Sequence, residues 1–268
     1  MSLSATNGRM TRWPRRLALL LAVLTFPLIW VGGLVTTTDA GMAVPDWPNT
    51  YGYNMFLYPW ESWLLGPWDL FIEHGHRLLG ALVGMVTIAL MVVVLKTDAR
   101  SWMRKLVIVA LVAVIAQGIL GGVRVRLNDV TLAMIHGCTG PAFLVLTTII
   151  AVMFSTFWQN PVSPELSAAE ADNKNGHNKD SEVSEDDKQQ FNASLRLARL
   201  TTILVYCQLI LGASIRHIPV TTSPQTYSVL VIFHIGMALA VTGHIVMLCL
   251  SIRGTKKLPK SIRSGAKQ

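Results

Sequence analysis

Hydrophobic residues fall into six long blocks along the chain, at 17–35, 78–95, 106–123, 132–157, 200–215 and 229–252. Each is near or above the roughly 20 residues that a helix needs to cross ~30 Å of hydrocarbon. The fifth is the shortest and reaches that length once 195–198 join it. None carries the polar face that a helix of a water-soluble bundle requires. The pattern predicts an all-α polytopic membrane protein with six transmembrane helices, four in a first bundle and two in part of a repeated half.

Composition supports this reading, with 51% hydrophobic and 14% charged residues over 268 positions. The net charge of +8 would suit a nucleic-acid partner, but the basic residues collect at block ends. Arg9, Arg12, Arg15 and Arg16 precede the first block, and Lys96, Arg100, Arg104 and Lys105 lie between the second and third. Arg196 and Arg199 precede the fifth, while Arg253, Lys256, Lys257, Lys260, Arg263 and Lys267 follow the sixth. Such spacing is a topology signal and predicts cytoplasmic termini with no role in nucleic-acid binding. Residues 36–73 contain no Lys or Arg and five acids, so this loop is expected outside. Arg124, Arg126 and Arg216 break the rule by falling on the outer side. The first block is too long for a signal-peptide core and lacks a clean cleavage site, so it is read as retained. Cys138, Cys207 and Cys249 lie inside the apolar blocks and predict neither a disulfide framework nor a metal motif.

Between the fourth and fifth blocks, residues 159–191 are polar and acidic and are expected to be disordered in the cytoplasm. His177 belongs to this stretch and receives no role. The domain expectation is therefore 1–158 as a four-helix bundle, 159–194 as an acidic linker, and 195–268 as a two-helix partial repeat with a basic tail. An internal echo joins the two halves: "QGILGGVRV" (117–125) and "QLILGASIRH" (208–217) each run from Gln through small residues to an outer arginine. Each is followed by a helix with a histidine in its early turns, His136 or His234. Duplicated helix pairs commonly build membrane bundles around a midline site. Gly80, Gly84, Gly118, Gly121 and Gly122 read as helix-packing positions, or as a face for a flat cofactor.

The chemistry-bearing stretch is "FIEHGHRLLG" (71–80). On a helix Glu73, His76 and Arg77 share a face, whereas His74 turns away and is expected to meet interfacial water. His136 enters from the same outer side as His76, so the two imidazoles can lie at similar depth. Neutral imidazole is a good iron ligand, and two from facing helices suit a haem. The competing reading is two polar residues bonded to nearby carbonyls. Arg77, Arg124, Arg126 and Arg216 are candidates to hold haem propionates through fork-like pairing, with snorkelling to lipid phosphate as the alternative. His234 and His244 share one helix about 15 Å apart, too far to ligate one iron.

With "GGLVTTTDAGMAVPDWPNTYG" (32–52), "IEHGHRLLG" (72–80), "QGILGGVRV", "MIHG" (134–137) and "QLILGASIRH" in this order, the sequence resembles the haem A synthase family. The resemblance implies a membrane oxidoreductase of cytochrome oxidase assembly that oxidises a ring methyl of haem O to a formyl group. It implies substrate haem O in the first four helices, with His76 and His136 at its iron and Glu73 as the catalytic carboxylate. The loop carrying "PDWP", Tyr51, Tyr53, Trp60 and Trp63 would cover the substrate, although an interfacial aromatic belt is the plainer reading. Its setting would be a bacterial plasma (inner) membrane. Partners would be membrane lipid, haem O and haem A, haem O synthase and oxidase assembly factors.

Two departures from the family pattern bear on the site. The first outer loop lacks the cysteine pair of some members. The family's usual eight helices are here six, and a second haem b, held in the family by histidines of helices six and eight, finds only His234. The expectation is then a further copy or a separate chain supplying the absent helices. The alternative function is a non-catalytic b-type electron carrier or haem-handling assembly protein, which needs paired imidazoles but no carboxylate beside them.

Overall fold

The computed structural model describes residues 12–159, 185–219 and 221–254. Contacts divide the chain into two compact units, Met1–Gln159 and Asn160–Gln268. The first holds α1 (Arg12–Thr37), a 3-10 turn (Ala40–Met42), α2 (Trp60–Leu64), α3 (Trp68–Thr97), α4 (Ser101–Leu127), α5 (Val130–Met153) and α6 (Thr156–Gln159). The second holds α7 (Glu185–Arg216) and α8 (Pro224–Gly254). Among the described residues there is no strand, and six helices (α1, α3, α4, α5, α7 and α8) are long and apolar enough to cross a membrane. The chain is an all-α, multi-pass membrane protein.

Three boundaries differ from the hydropathy pattern. α3 starts at Trp68 rather than at 78, directly after Pro67. The polar cluster of 73–77 interrupts the apolar run without interrupting the helix, because its polar groups find partners in the preceding loop. α5 stops at Met153, and Ser155 Oγ accepts the Trp158 N–H (3.2 Å) at the start of the short α6. Residues 185–191, expected to be disordered, instead form the first turns of α7. That segment has neither proline nor glycine before Gly212, so nothing breaks the helix as it extends back from the apolar run. The rest of the acidic stretch, with His177, lies outside the described residues, as do Arg9 and the lysines and arginine after 254.

Within the first unit α1 packs on α3 and α5, and α4 packs on the same two. The four helices close a ring, with α3 and α5 diagonally opposite. One half of the ring is filled by an apolar cluster built from Ala18, Leu21, Val83, Leu90, Met103 and Phe143, among others. These positions lie toward the 98–100 end. In the other half, under the long 38–67 loop, the buried side chains include Glu73 and His74. The outward surface is apolar, with Phe26 66% and Trp30 63% exposed, as a lipid-facing surface should be.

Helical hairpins are the repeating piece. In α4–α5, Asn128 ends the first helix in the left-handed conformation (φ 48°). Asp129 then caps the second by accepting the Leu132 N–H at 2.8 Å. α1 with α3 makes a second hairpin, and α7 with α8 makes the hairpin of the second unit.

Candidate functional site

The 38–67 loop is a built cover. Asp46 accepts backbone N–H groups from Tyr51 and Gly52, each at 2.8 Å. Both turn residues have positive φ (48° and 81°), and Thr50 pairs with Tyr53 across them, as in a type I′ hairpin turn. Glycine at 52 removes the Cβ strain of that conformation. Partial burial alone would raise the Asp46 carboxyl, but the Gly52 and Tyr51 N–H groups and the Arg77 charge outweigh it. The net position is below the usual carboxylate value. The Tyr51 hydroxyl ties the loop together by donating to the Ala43 carbonyl.

α3 anchors this cover through the residues of "EHGHR". Arg77 donates through Nη1 to the carbonyls of Asp46 (2.7 Å) and Asn49 (3.0 Å). Through Nη2 it donates to the carbonyl of Val44 (2.6 Å) and to Glu73 Oε1 (2.7 Å). Glu73 Oε2 accepts the Val44 N–H at 2.9 Å, so each carboxylate oxygen is engaged and the residue is only 1% exposed. His74 does not meet interfacial water. It is 1% exposed, hydrogen-bonded through Nδ1 to Thr50 Oγ1 (3.0 Å), and its ring rests against Tyr58 and Trp63. The helical turn that points it off the His76 face points it into the cover. Trp63 also donates its Nε1–H to the Phe71 carbonyl at 3.0 Å, holding α2 on α3. Among the expected covering aromatics, Tyr51 and Trp63 make these contacts, whereas Trp60 is 64% exposed.

Beneath the cover two imidazoles meet. His76 of α3 and His136 of α5 come from diagonally opposite helices, with ring centroids 6.4 Å apart and planes at 87°. The Nδ1 atoms of both rings are buried without a hydrogen-bond partner. The Leu28 carbonyl lies beside His76 and the Gln117 carbonyl beside His136. Gln117 itself donates to Thr139 Oγ1 at 2.5 Å, which keeps its amide off the His136 ring. Among the described residues no group of three or more His, Cys, Asp or Glu could hold a bare metal ion. Two imidazoles alone suit an iron that already has four ligands from a porphyrin. Axial bonds of ~2 Å, plus ~1 Å from each nitrogen to its ring centre, would set the centroids about 6 Å apart. The observed pair matches that spacing.

The arginines separate by surroundings. Arg77 is committed to the cover and Glu73. Arg124 is half-buried against Gly41, where a Cβ would lie 2.7 Å from its Nη1. It is within electrostatic reach of His76, His136 and Glu73, yet among the described residues no carboxylate comes within ion-pair distance. Arg126 is exposed, 3.5 Å from the Trp47 carbonyl. Arg216 belongs to the second unit, where a pocket of about 400 Å³ is lined by Gly212, Ile215, Arg216, Ile218, Tyr227 and His234. There Gln208 Nε2 donates to the His234 carbonyl (3.1 Å) and lies 3.3 Å from its Nε2. His244 is likewise buried at Nδ1 without a partner, and His217 Nδ1 lies 2.9 Å from the Ala213 carbonyl.

A family model described as COX15-CtaA, cytochrome oxidase assembly protein, matches residues 68–218. The chain belongs to this family. The matched segment includes Glu73, His76, Arg77, Arg124, Arg126, His136 and Arg216, while the 32–52 stretch and His234 fall outside it. Comparison with curated proteins and with solved structures gave no match.

The sequence reading left several site residues unassigned. Thr50 and Gly32 had no role of their own, and Gly122 was taken for helix packing or a cofactor face. A Cβ at Gly122 would lie 2.2 Å from the Trp47 indole, so this glycine makes room for the cover instead. Gly84 and Gly118, also read as packing positions, have nothing within 4 Å of a Cβ. The signal for Gly32 was available: the small pairs Gly32-Gly33, Gly121-Gly122 and Gly212-Ala213 each precede a helix bearing a histidine.

Proposed function

We propose that this protein is a haem A synthase-like oxidoreductase acting on haem O. The observation that carries the reading is the His76–His136 pair, two imidazoles from opposite helices at a spacing suited to one iron, with no group of three His, Cys, Asp or Glu among the described residues. His76 and His136 would hold the iron of substrate haem O between α3 and α5. Arg124 is the arginine best suited to a propionate, being half-buried and paired with no carboxylate among the described residues. Arg126 offers a second, water-exposed contact, and Arg77 acts by holding the cover closed.

Turning a methyl into a formyl group consumes one water as the oxygen source and releases protons, with the electrons passed to an external electron acceptor. The bound iron–porphyrin supplies the conjugated ring that makes the methyl oxidisable. The chain's share is to hold the ring, exclude bulk water beneath the 38–67 cover, and keep negative charge near positive charge that develops on the macrocycle. Glu73 supplies that charge. Its two oxygens are already accepting hydrogen bonds, so electrostatic stabilisation suits it better than carrying protons. In the second unit, His234 would offer an iron ligand and Arg216 a propionate contact to a haem b cofactor. The reading places the protein in a bacterial inner membrane with both termini cytoplasmic. Haem O synthase would deliver the substrate, and oxidase assembly factors would receive haem A.

The test is a pigment extract of membranes carrying this chain together with a haem O source, analysed for haems B, O and A. Haem A that disappears with His76→Ala or His136→Ala is the expected result. A second reading, a haem-handling or electron-carrying protein, is favoured by the full engagement of Glu73. Bound low-spin haem with no haem A would select it.

A further inference from the structure

Each ligand-type histidine stands edge-on against a glycine of the helix before it. A Cβ at Gly32 of α1 would lie 2.9 Å from His76 Cε1 and 3.6 Å from both ring nitrogens. At Gly121 of α4 it would lie 3.2 Å from His136 Cε1, again with both nitrogens at 3.6 Å. Within the second unit, a Cβ at Gly212 of α7 would lie 2.9 Å from His234 Cε1. These three helical hairpins thus repeat one contact, glycine on the first helix and histidine on the second. In all three the histidine Nδ1 is buried and unpartnered. The carbonyls beside His76 and His136 belong to Leu28 and Gln117, each four residues before the seating glycine. On a helix the side chain of one residue lies over the turn before it, so a missing Cβ uncovers that carbonyl.

We propose that Gly32, Gly121 and Gly212 are positioning residues that orient their histidines as ligands. The bare helix surface lets the ring stand edge-on with Cε1 against the glycine, a position that a Cβ would deny it, and leaves both ring nitrogens clear of the helix. This rests on the iron–porphyrin reading for His76 and His136. It also separates His234 from His244 and His74, neither of which meets a glycine in this way.

The test uses the full chain in detergent, titrated with iron protoporphyrin and followed by optical and paramagnetic spectra. Gly32→Ala and Gly121→Ala are compared with Gly33→Ala and Gly118→Ala, whose Cβ positions meet nothing within 4 Å. The seat variants should bind ~10- to 100-fold more weakly, as when a partner orienting a metal ligand is removed. They should also shift from low-spin to high-spin iron, and added imidazole should restore the low-spin spectrum. Gly32→Ala should be the more severe, since its contact is closer. Wild-type spectra and affinity in both seat variants would overturn the proposal, as would equal losses in the controls. Weakened binding seen only together with a lowered melting temperature of the haem-free chain would also overturn it. If instead the wild type and His76→Ala take up haem alike, the iron-site reading itself fails. Low-spin haem in the wild type with unaffected glycine variants leaves that reading standing and removes only the seats.

Discussion

Replacing Glu73 by glutamine isolates the charge at the centre of the cover while keeping its size. The glutamine oxygen can still accept the Val44 N–H, but its amide then presents donors to Arg77, which has none to accept. A hydrogen bond to a charged group is worth about 1.5–3 kcal/mol, and breaking a buried pair costs roughly 3–5 kcal/mol. Arg77 retains the carbonyls of Val44, Asp46 and Asn49, so the loss belongs near the lower end, at about 2–3 kcal/mol. That corresponds to a ~30- to 150-fold fall in amide protection if the cover opens as a local unit. Hydrogen exchange read by mass spectrometry should show the fall over residues 40–53 while the packed end of α3 and α4 stays protected. Unchanged protection at 40–53 would refute the clamp, as would an equal loss at Val83, Leu90 and Met103. Loss of haem A with the cover still fully protected would show that the carboxylate acts on the chemistry directly.

Other consequences follow from the same contacts. His74→Ala should remove the Thr50 bond and the packing of Tyr58 and Trp63, speeding protease cleavage within 38–67 by about tenfold or more; unaltered cleavage would mean that His74 does not hold the cover. Asp46 has its folded carboxyl below the unfolded value, so its contribution is complete above that value and is lost as pH falls through the folded one; a Tyr51–Gly52 turn that loosens in acid, and no longer responds to acid in Asp46→Asn, is the expected exchange result. Arg124→Gln should weaken iron protoporphyrin binding roughly tenfold and abolish its advantage over the dimethyl ester, whereas Arg126→Gln should retain that advantage. A cysteine at Asn54 should react with an impermeant reagent from outside and one at Ser101 should not; the reverse labelling would overturn the charge-based orientation.

The helices were legible because spanning length and an absence of polar faces admit few alternatives. Facing imidazoles at His76 and His136 were legible too, since two hairpins entering from one side put early-turn residues at similar depth. The fastening of the cover was not legible, and His74 shows why. Helical geometry correctly turned it off the His76 face, but what lies there is the Thr50–Tyr58 segment, brought back by a turn whose positive φ falls on Tyr51 rather than on the usual Asn or Asp. Likewise Arg77 reads as an anion receptor in a one-dimensional pattern. Only the folded loop reveals three carbonyls converging on it.

The two halves of the first bundle meet different physical demands. Toward the 98–100 end, Leu21, Val83, Leu90 and Met103 fill the space between helices, and apolar packing is sufficient. A flat ligand between α3 and α5 needs the opposite, a centre not filled by side chains. Irregular backbone over such a centre can persist at membrane depth only when its polar groups find partners within the protein. The "EHGHR" turn meets this need from one helix: Glu73 takes a loop N–H, Arg77 takes loop carbonyls, and His74 takes a loop hydroxyl. His76, lying between these anchors, is left for the centre. The polar cluster that first looked like one site is therefore two devices interleaved on a single helix, a fastening for the cover and a ligand beneath it. Substitutions at its several positions should fail in different ways.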